Sequence, residues 1–124
     1  MEISITSQNT SEYLLIESKG SLETGADLLT HSQLLYNEIK KYDAKKILID
    51  EPGTHFPLDL FLYFDLVKNY IDHFPPDIRS LKIAIVTAEA YTEIAQSWEA
   101  LCVSRGLQFF VFTSFEEAID WLLD

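Results

Sequence analysis

The sequence predicts an α/β fold in which a mostly parallel five-stranded sheet carries helices on both faces and an antiparallel strand at its N-terminal edge. Short apolar runs alternate with longer segments of helical periodicity, in the order β-β-α-β-α-β-α-β-α. The central runs are almost continuously apolar, which is typical of parallel strands covered on both faces. The length of 124 residues fits one domain, spanning residues 1–124.

The first two strands are predicted to form an antiparallel hairpin. Residues 3–6 alternate apolar with polar side chains, which is the period of a half-exposed strand. Residues 7–11 are polar and predict a turn, and residues 13–16 begin a second strand that closes at Gly20. A link this short favours antiparallel pairing.

The first helix is predicted from a capping box. Thr24 and Asp27 have the required spacing, and the helix runs to about Tyr42. The next strand is the apolar run 47–49, followed by a predicted loop over residues 51–56. Pro57 is a suitable first-turn residue for a second helix, which Pro75 and Pro76 would end.

The C-terminal half predicts two further strand–helix units. Residues 81–86 form a buried strand, and a third helix begins at about Glu89 and ends at Gly106. Residues 109–112 form the last strand. Ser114 and Glu117 predict a second capping box, which opens the final helix.

Composition and charge exclude several classes of function. The net charge of −11 repels nucleic acid and anionic membrane surfaces, so neither is expected as a partner. No signal peptide or membrane-spanning run is visible, and the single cysteine cannot form an internal disulfide. We therefore expect a cytoplasmic protein without membrane insertion.

No motif predicts catalysis or a cofactor. The four glycines match neither a phosphate-binding loop nor a dinucleotide fingerprint, and the three histidines lack the spacing of zinc ligands. Two interpretations of the 51–56 loop stay open. Asp50, Glu51 and His55 could hold a divalent ion, but backbone hydrogen bonding by these side chains within a turn is favoured. The prediction is a non-enzymatic protein with no catalytic, cofactor or metal residues.

Three other chemically capable residues are interpreted as structural. Cys102 lies beside the apolar stripe of the third helix and is expected in the core. His31 borders the inner stripe of the first helix, where a hydrogen-bonded boundary histidine is expected. Trp121 flanks the inner face of the last helix and is expected to cover an edge of the core.

The second helix offers the most informative candidate surface. Phe61, Leu62 and Leu66 lie away from the main apolar stripe of that helix, which favours contact with a partner. The candidate partner or ligand surface comprises Thr54, His55, Phe56, Phe61, Leu62, Tyr63 and Leu66. The favoured hypothesis is an interaction domain, with a homodimer as one option. The alternative is a small apolar-ligand or lipid-binding protein, with a pocket between the second helix and the sheet lined by Phe56, Phe61, Tyr63 and Phe64.

The chain resembles the STAS-like domain family, in particular the stand-alone SpoIIAA-like proteins related to anti-sigma-factor antagonists. The resemblance covers almost the whole chain and depends on residues 46–51, 81–86 and 111–122. It implies a fold used for binding partner proteins, and some relatives have been compared with lipid carriers.

The phosphorylation switch of the anti-sigma-factor antagonists does not carry over. Those proteins have a phosphorylatable serine where the second helix begins, whereas this chain has Gly53, Thr54 and His55 there. Thr54 is the nearest hydroxyl, and the acids Asp50, Glu51 and Asp59 close by would repel a phosphate. We therefore predict that Thr54 is not a phosphoacceptor.

Overall fold

The computed structural model of the chain describes residues 1–57 and 64–124. Its strands are β1 (Glu2–Asn9), β2 (Leu14–Ser21), β3 (Lys46–His55), β4 (Lys82–Val86) and β5 (Gln108–Phe112). Its helices are α1 (Gly25–Tyr42), α2 (Phe64–Asp72), α3 (Thr92–Ser104) and α4 (Phe115–Leu123), with short 3-10 turns at Pro76–Ser80 and Glu89–Tyr91. The strands form one sheet in the order β1-β2-β3-β4-β5, antiparallel between β1 and β2 and parallel elsewhere. The predicted fold class is confirmed.

The sheet order explains how the helices are distributed. Each crossover from β2 to β5 moves one strand in the same direction, and right-handed crossovers then place α1, α2 and α3 on one face. The larger core, on that face, joins Ile47, Ile49, Ile83 and Ile85 of the sheet to Ile39, Ile71 and Cys102 of the helices. On the opposite face α4 packs with Ala118 and Leu122 against Leu48, Ala84 and Val86. The helices of the described ranges therefore cover the sheet with three on one side and one on the other.

The N-terminal hairpin is tighter than predicted. β1 continues to Asn9, and the backbone N–H of Tyr13 donates to the Thr10 hydroxyl, which in turn donates to the Tyr13 carbonyl. These bonds confine the turn to residues 10–13, so the predicted turn over 7–11 was placed too early. At the other end of the hairpin Gly20 has a φ of +136°, a conformation that L side chains rarely adopt.

The helix ends follow their predicted caps closely. Thr24 and Asp27 form a complete capping box, and Ser114 accepts from the backbone N–H of Glu117. Gly106 follows α3 with a φ of +81°, as the prediction of a glycine end implied. α3 itself begins at Thr92 rather than at about residue 89, because a 3-10 turn occupies the first three predicted positions.

The predicted loop over residues 51–56 is wrong. β3 continues through it to His55 and pairs in parallel with β2, where Lys19, Gly20 and Ser21 oppose residues 53–55. Pro57, the predicted first-turn residue of the second helix, lies in neither a helix nor a strand, and residues 58–63 after it lie outside the described part of the chain. Its end is confirmed, since α2 stops at Asp72, before the two prolines.

Candidate functional site

A cavity of about 160 Å³ lies between the sheet and the three helices that cover its larger core. Its wall is mostly aliphatic and aromatic, and includes Leu28, Leu35, Ile49, Phe56, Val67, Tyr70, Ile85, Trp98 and Phe109. This is the region in which the sequence placed an apolar-ligand pocket. Phe56 lines the cavity as expected, whereas Phe61, Tyr63 and the side chain of Phe64 lie outside what the structure describes.

Glu51 places a carboxyl group in this apolar wall. It follows Ile47 and Ile49 at alternate positions of β3, so all three side chains face the helices. The residue is only 7% exposed, and within residues 1–57 and 64–124 its Oε2 atom has no hydrogen-bond partner. Burial raises the pKa of the Glu51 carboxyl to about 8, and the negative charge of Asp50 contributes further. The group is therefore protonated and uncharged at neutral pH.

A β-bulge follows Glu51 and changes which residues face the cavity side. Glu17 opposes Asp50 and Lys19 opposes Gly53, so β3 has one residue more than β2 over this interval. The extra residue reverses the alternation and turns Thr54 to the same side as Glu51, where it is completely buried. A bulge tolerates proline because it leaves a backbone position unpaired, which explains Pro52 inside a strand.

Ser18, His31 and Thr54 form a buried polar network beside Glu51. The Ser18 hydroxyl lies 2.9 Å from His31 Nε2 and 2.9 Å from the Thr54 hydroxyl, which donates to the Ser18 carbonyl. All of these contacts are satisfied when His31 Nε2–H donates to Ser18 and Ser18 donates to Thr54. Burial lowers the pKa of His31 to about 4, which is consistent with this neutral tautomer. The predicted hydrogen bonding of His31 is confirmed, whereas the residue is buried rather than at the boundary of the core.

Glu51 and His31 are close without forming an ion pair. Glu51 Oε2 lies 3.9 Å from His31 Nε2, which is too long for a hydrogen bond. Because burial favours the neutral form of both groups, neither supplies a charge to the other. The arrangement also differs from a nucleophilic triad, where the acid orients the histidine through the ring nitrogen that does not contact the serine. The cluster of Ser18, His31 and Glu51 therefore offers hydrogen bonds rather than an activated nucleophile.

Trp98 contributes a second unsatisfied polar atom to the same wall. Its Nε1 is buried and finds no acceptor in the described part of the chain. Phe56 packs edge-on against the Trp98 ring, with centroids 6.0 Å apart. Glu51 and Trp98 both line the cavity, but their unpartnered atoms are buried behind its surface.

The candidate surface predicted from the sequence is divided by the structure. His55 and Leu66 are exposed, Leu66 by 40%. Thr54 is 0% exposed and Phe56 only 9%, so neither is available to a partner at the protein surface, whereas the position of Phe56 agrees with the ligand-pocket alternative. Both belong to the interior, because the bulge turns Thr54 inward and Phe56 lines the cavity. Phe61, Leu62 and Tyr63 lie outside the described residues.

The loop considered for a divalent ion does not gather its acids. Asp50 and Glu51 are consecutive strand residues and face opposite sides of the sheet. Across the described ranges, no three His, Cys, Asp or Glu residues lie together in a way that could hold a metal ion. The pKa of Asp50 is raised by partial burial and by the negative charge of Glu17 opposite it.

Two structural interpretations of single residues are confirmed. Cys102 is 3% exposed within the larger core, and burial raises the pKa of its thiol to about 12. Trp121 packs against Phe110 and Phe112 at the β5 edge, with the Lys82 ammonium 4.5 Å from its ring centroid.

Among the described residues, no helix has the length and hydropathy needed to cross a membrane.

Sequence reasoning missed the polar lining of the cavity. The only local signal was Glu51 itself, which continues the inward alternation of Ile47 and Ile49 if the strand is extended by two residues. Ser18 carried no such signal. Ser18 meets Thr54 across 36 residues of sequence, a contact that appears only once β2 and β3 are paired.

Comparison with known proteins identifies the fold. No protein-family model matches the sequence, and no curated protein matches it significantly. An anti-sigma factor antagonist from Mycobacterium paratuberculosis superposes with a TM-score of 0.64 at 10% identity, covering 99% of this chain and 96% of that one. An uncharacterised DUF3478-family protein with a SpoIIAA-like fold from Shewanella loihica superposes with a TM-score of 0.54 at 19% identity, covering 97% and 93%. The chain has the SpoIIAA-like fold that the resemblance implied.

Proposed function

We propose that this chain is a non-enzymatic cytoplasmic interaction domain that regulates a protein partner through its second helix and the segment before it. The observation that carries the proposal is the fold, shared over 99% of the chain with a protein described as an anti-sigma factor antagonist. Exposed His55 and Leu66 support this location, since His55 ends β3 before that segment and Leu66 lies in α2. With a net charge of −11, the chain favours a partner that presents a basic surface.

The test is a charge substitution at the exposed apolar position of α2. We expect Leu66→Asp to abolish capture of the partner from an extract of the source cells, because a new carboxylate at an interface must be desolvated. Phe115→Asp is the matched control, since Phe115 is 38% exposed but begins α4 on the opposite face of the sheet. Captured proteins are identified by mass spectrometry, and circular dichroism verifies that both variants are folded.

The same pair of variants distinguishes a second copy of the chain from a different partner. If the partner is another copy, light scattering shows a dimer that only Leu66→Asp converts to a monomer. Equal capture by the wild type, Leu66→Asp and Phe115→Asp, together with an unchanged oligomeric state, would contradict the proposed surface.

A second candidate function is binding of a small apolar ligand between the helices and the sheet. The cavity of about 160 Å³ in that region favours it. This volume is close to that of an engineered protein cavity of about 150 Å³ that binds benzene. It is far too small for a lipid with two acyl chains, so the ligand that we consider is a small molecule rather than a membrane lipid.

A further inference from the structure

The outer edge of β1 lacks the features that usually protect an exposed sheet edge. In the described part of the chain β1 pairs with β2 alone, and the register is unbroken over all eight residues, Glu2–Asn9. The strand contains no proline, lysine or bulge, which are common protections of an edge. At the other edge of the sheet the Val111 N–H donates to the Glu99 carboxylate at 2.8 Å, so a side chain occupies a donor that an added strand would use. The β1 edge is therefore the better suited to accept a further strand.

Hydrogen bonding in the first hairpin determines which backbone groups of β1 face this edge. The Thr10 N–H donates to the Tyr13 carbonyl, and bonded positions alternate along an antiparallel pair. Even-numbered residues of β1 therefore bond to β2, whereas Ile3, Ile5 and Ser7 direct their N–H and C=O groups outward. An added strand would bond to these three residues.

An exposed leucine of α1 lies beside the middle of β1. The Asp27 carboxylate is 3.9 Å from the Met1 amino group, and Glu38 accepts a hydrogen bond of 2.7 Å from the Ser7 hydroxyl. Leu34 lies on the same row of the helix, seven residues after Asp27 and four before Glu38. It is 36% exposed and falls between the two contacts. The edge thus combines open backbone groups with an apolar side chain on the helix beside it.

We propose that two copies of this chain pair through their β1 strands, antiparallel about a two-fold axis at Ile5, and so form one continuous sheet. Pairing of the outward groups places Ile5 opposite Ile5, and Ile3 opposite Ser7 of the second copy. This register turns the three-helix faces of both copies to the same side, so the two Leu34 side chains face each other across the axis. The surface is separate from the second helix, so the proposal goes beyond the proposed function.

Charge favours a second copy as the occupant of this edge. Residues 3–9 are uncharged, although the chain has a net charge of −11. In the proposed register Glu2, the one charged residue of β1, faces Gln8 rather than another acid. The acids on the Leu34 row, Asp27 and Glu38, each have a partner within their own chain. Two copies of an acidic protein therefore meet here without opposed charges in β1, whereas a basic partner would find little to attract it.

Size-exclusion chromatography with light scattering on the full chain, over a dilution series, measures the dimer and its dissociation constant. The first comparison is Ser7→Pro with Ser7→Ala. Both variants lose the hydroxyl, but only proline lacks the N–H that bonds across the edge, and that N–H makes no bond to β2. The two-fold axis repeats the loss, so Ser7→Pro removes two hydrogen bonds per dimer. We expect its dissociation constant to rise about thirtyfold relative to Ser7→Ala.

The second comparison adds one carboxylate to α1 at either of two exposed positions. Leu34→Asp places like charges on both sides of the axis, and we expect the dissociation constant to rise more than about a hundredfold. Gln33→Asp is the matched control, because Gln33 accepts a hydrogen bond from Tyr70 of α2 and so faces away from β1. It should leave the dimer unchanged. Since Leu34 is exposed, this comparison keeps the test decisive if Ser7→Pro fails to fold.

Amide hydrogen exchange tests the register itself. The N–H groups of Ile3, Ile5 and Ser7 should become protected as the protein concentration rises, although β2 does not bond to them. A monomer at every concentration would overturn the proposal, including a monomer that captures a different protein through β1. A dimer unaffected by both Ser7→Pro and Leu34→Asp would also overturn it. If Leu66→Asp alone disrupts that dimer, self-association belongs to the second helix instead.

Discussion

The free energy of unfolding is expected to fall by about 1 kcal/mol between about pH 6.5 and about pH 8 in the wild-type protein, and to rise by less than about 0.5 kcal/mol over this range in Glu51→Gln. The pKa of Glu51 is about 8 in the folded protein, against 4.5 for an ordinary glutamate. Between those values the folded state holds a proton that the unfolded chain has released. Raising the pH therefore favours unfolding, by up to about 1.4 kcal/mol per pH unit.

At lower pH, His31 makes the free energy of unfolding change with pH in the opposite direction. Its pKa is about 4 in the folded protein, against 6.5 for an ordinary histidine, so the unfolded chain holds the extra proton between those values. Stability due to His31 then rises with pH, and this rise offsets the effect of Glu51 between about pH 4.5 and 6.5. Glu51→Gln removes the opposing effect of Glu51. We therefore expect the free energy of unfolding of this variant to rise with pH over that interval, because only the contribution of His31 is left.

Urea denaturation followed by circular dichroism from about pH 5 to about pH 8.5 measures both slopes. Glu12→Gln is the control, because Glu12 is exposed in the first hairpin and its substitution makes the same chemical change at the surface. Parallel profiles for the wild type and Glu51→Gln above about pH 6.5 would contradict a protonated Glu51 in the folded protein.

The features that the sequence predicted correctly are those decided by neighbouring residues. The capping box at Thr24 and the side-chain cap at Ser114 require residues only three positions apart, although at Ser114 only the hydroxyl half of the predicted box is formed. The parallel sheet follows from the continuous apolar run that includes Ile47 and Ile49, because strands covered on both faces need apolar side chains on both. Such local and compositional rules are sufficient for the order of elements and for the sheet topology.

The errors arose where distant residues decide the local structure. Glu51, Pro52 and Gly53 are residues typical of turns. They lie in a strand because this segment pairs with β2, about thirty residues earlier in the chain. The cavity depends on how well four separate elements fill the space between them, so no stretch of sequence predicts its volume. The burial of Thr54 follows from the bulge, and it adds a physical reason to the prediction that this hydroxyl is not phosphorylated.

Gly20→Ala is expected to destabilise the protein by about 3 to 5 kcal/mol, whereas Gly53→Ala should change its stability by less than about 1 kcal/mol. A Cβ atom at Gly20 would lie 2.0 Å from the backbone oxygen of Glu2, and the φ of +136° adds strain for any L side chain. The opposing atom belongs to the β1 backbone, so relief requires β1 to move away from β2. A Cβ at Gly53 would meet only the side chain of Lys19, at 3.2 Å, and that flexible chain can rotate aside.

Urea denaturation and amide hydrogen exchange together identify how Gly20→Ala acts. Because β1 is an edge strand bonded to β2 alone within the sheet, its detachment should abolish exchange protection in Glu2–Asn9 while β3 and β4 stay protected. The denaturant m-value should fall as well, since a folded state without β1 has less surface left to expose on unfolding. Similar stability losses in Gly20→Ala and Gly53→Ala, with β1 still protected in both, would show that the close approach of Gly20 to Glu2 does not control the packing of this edge.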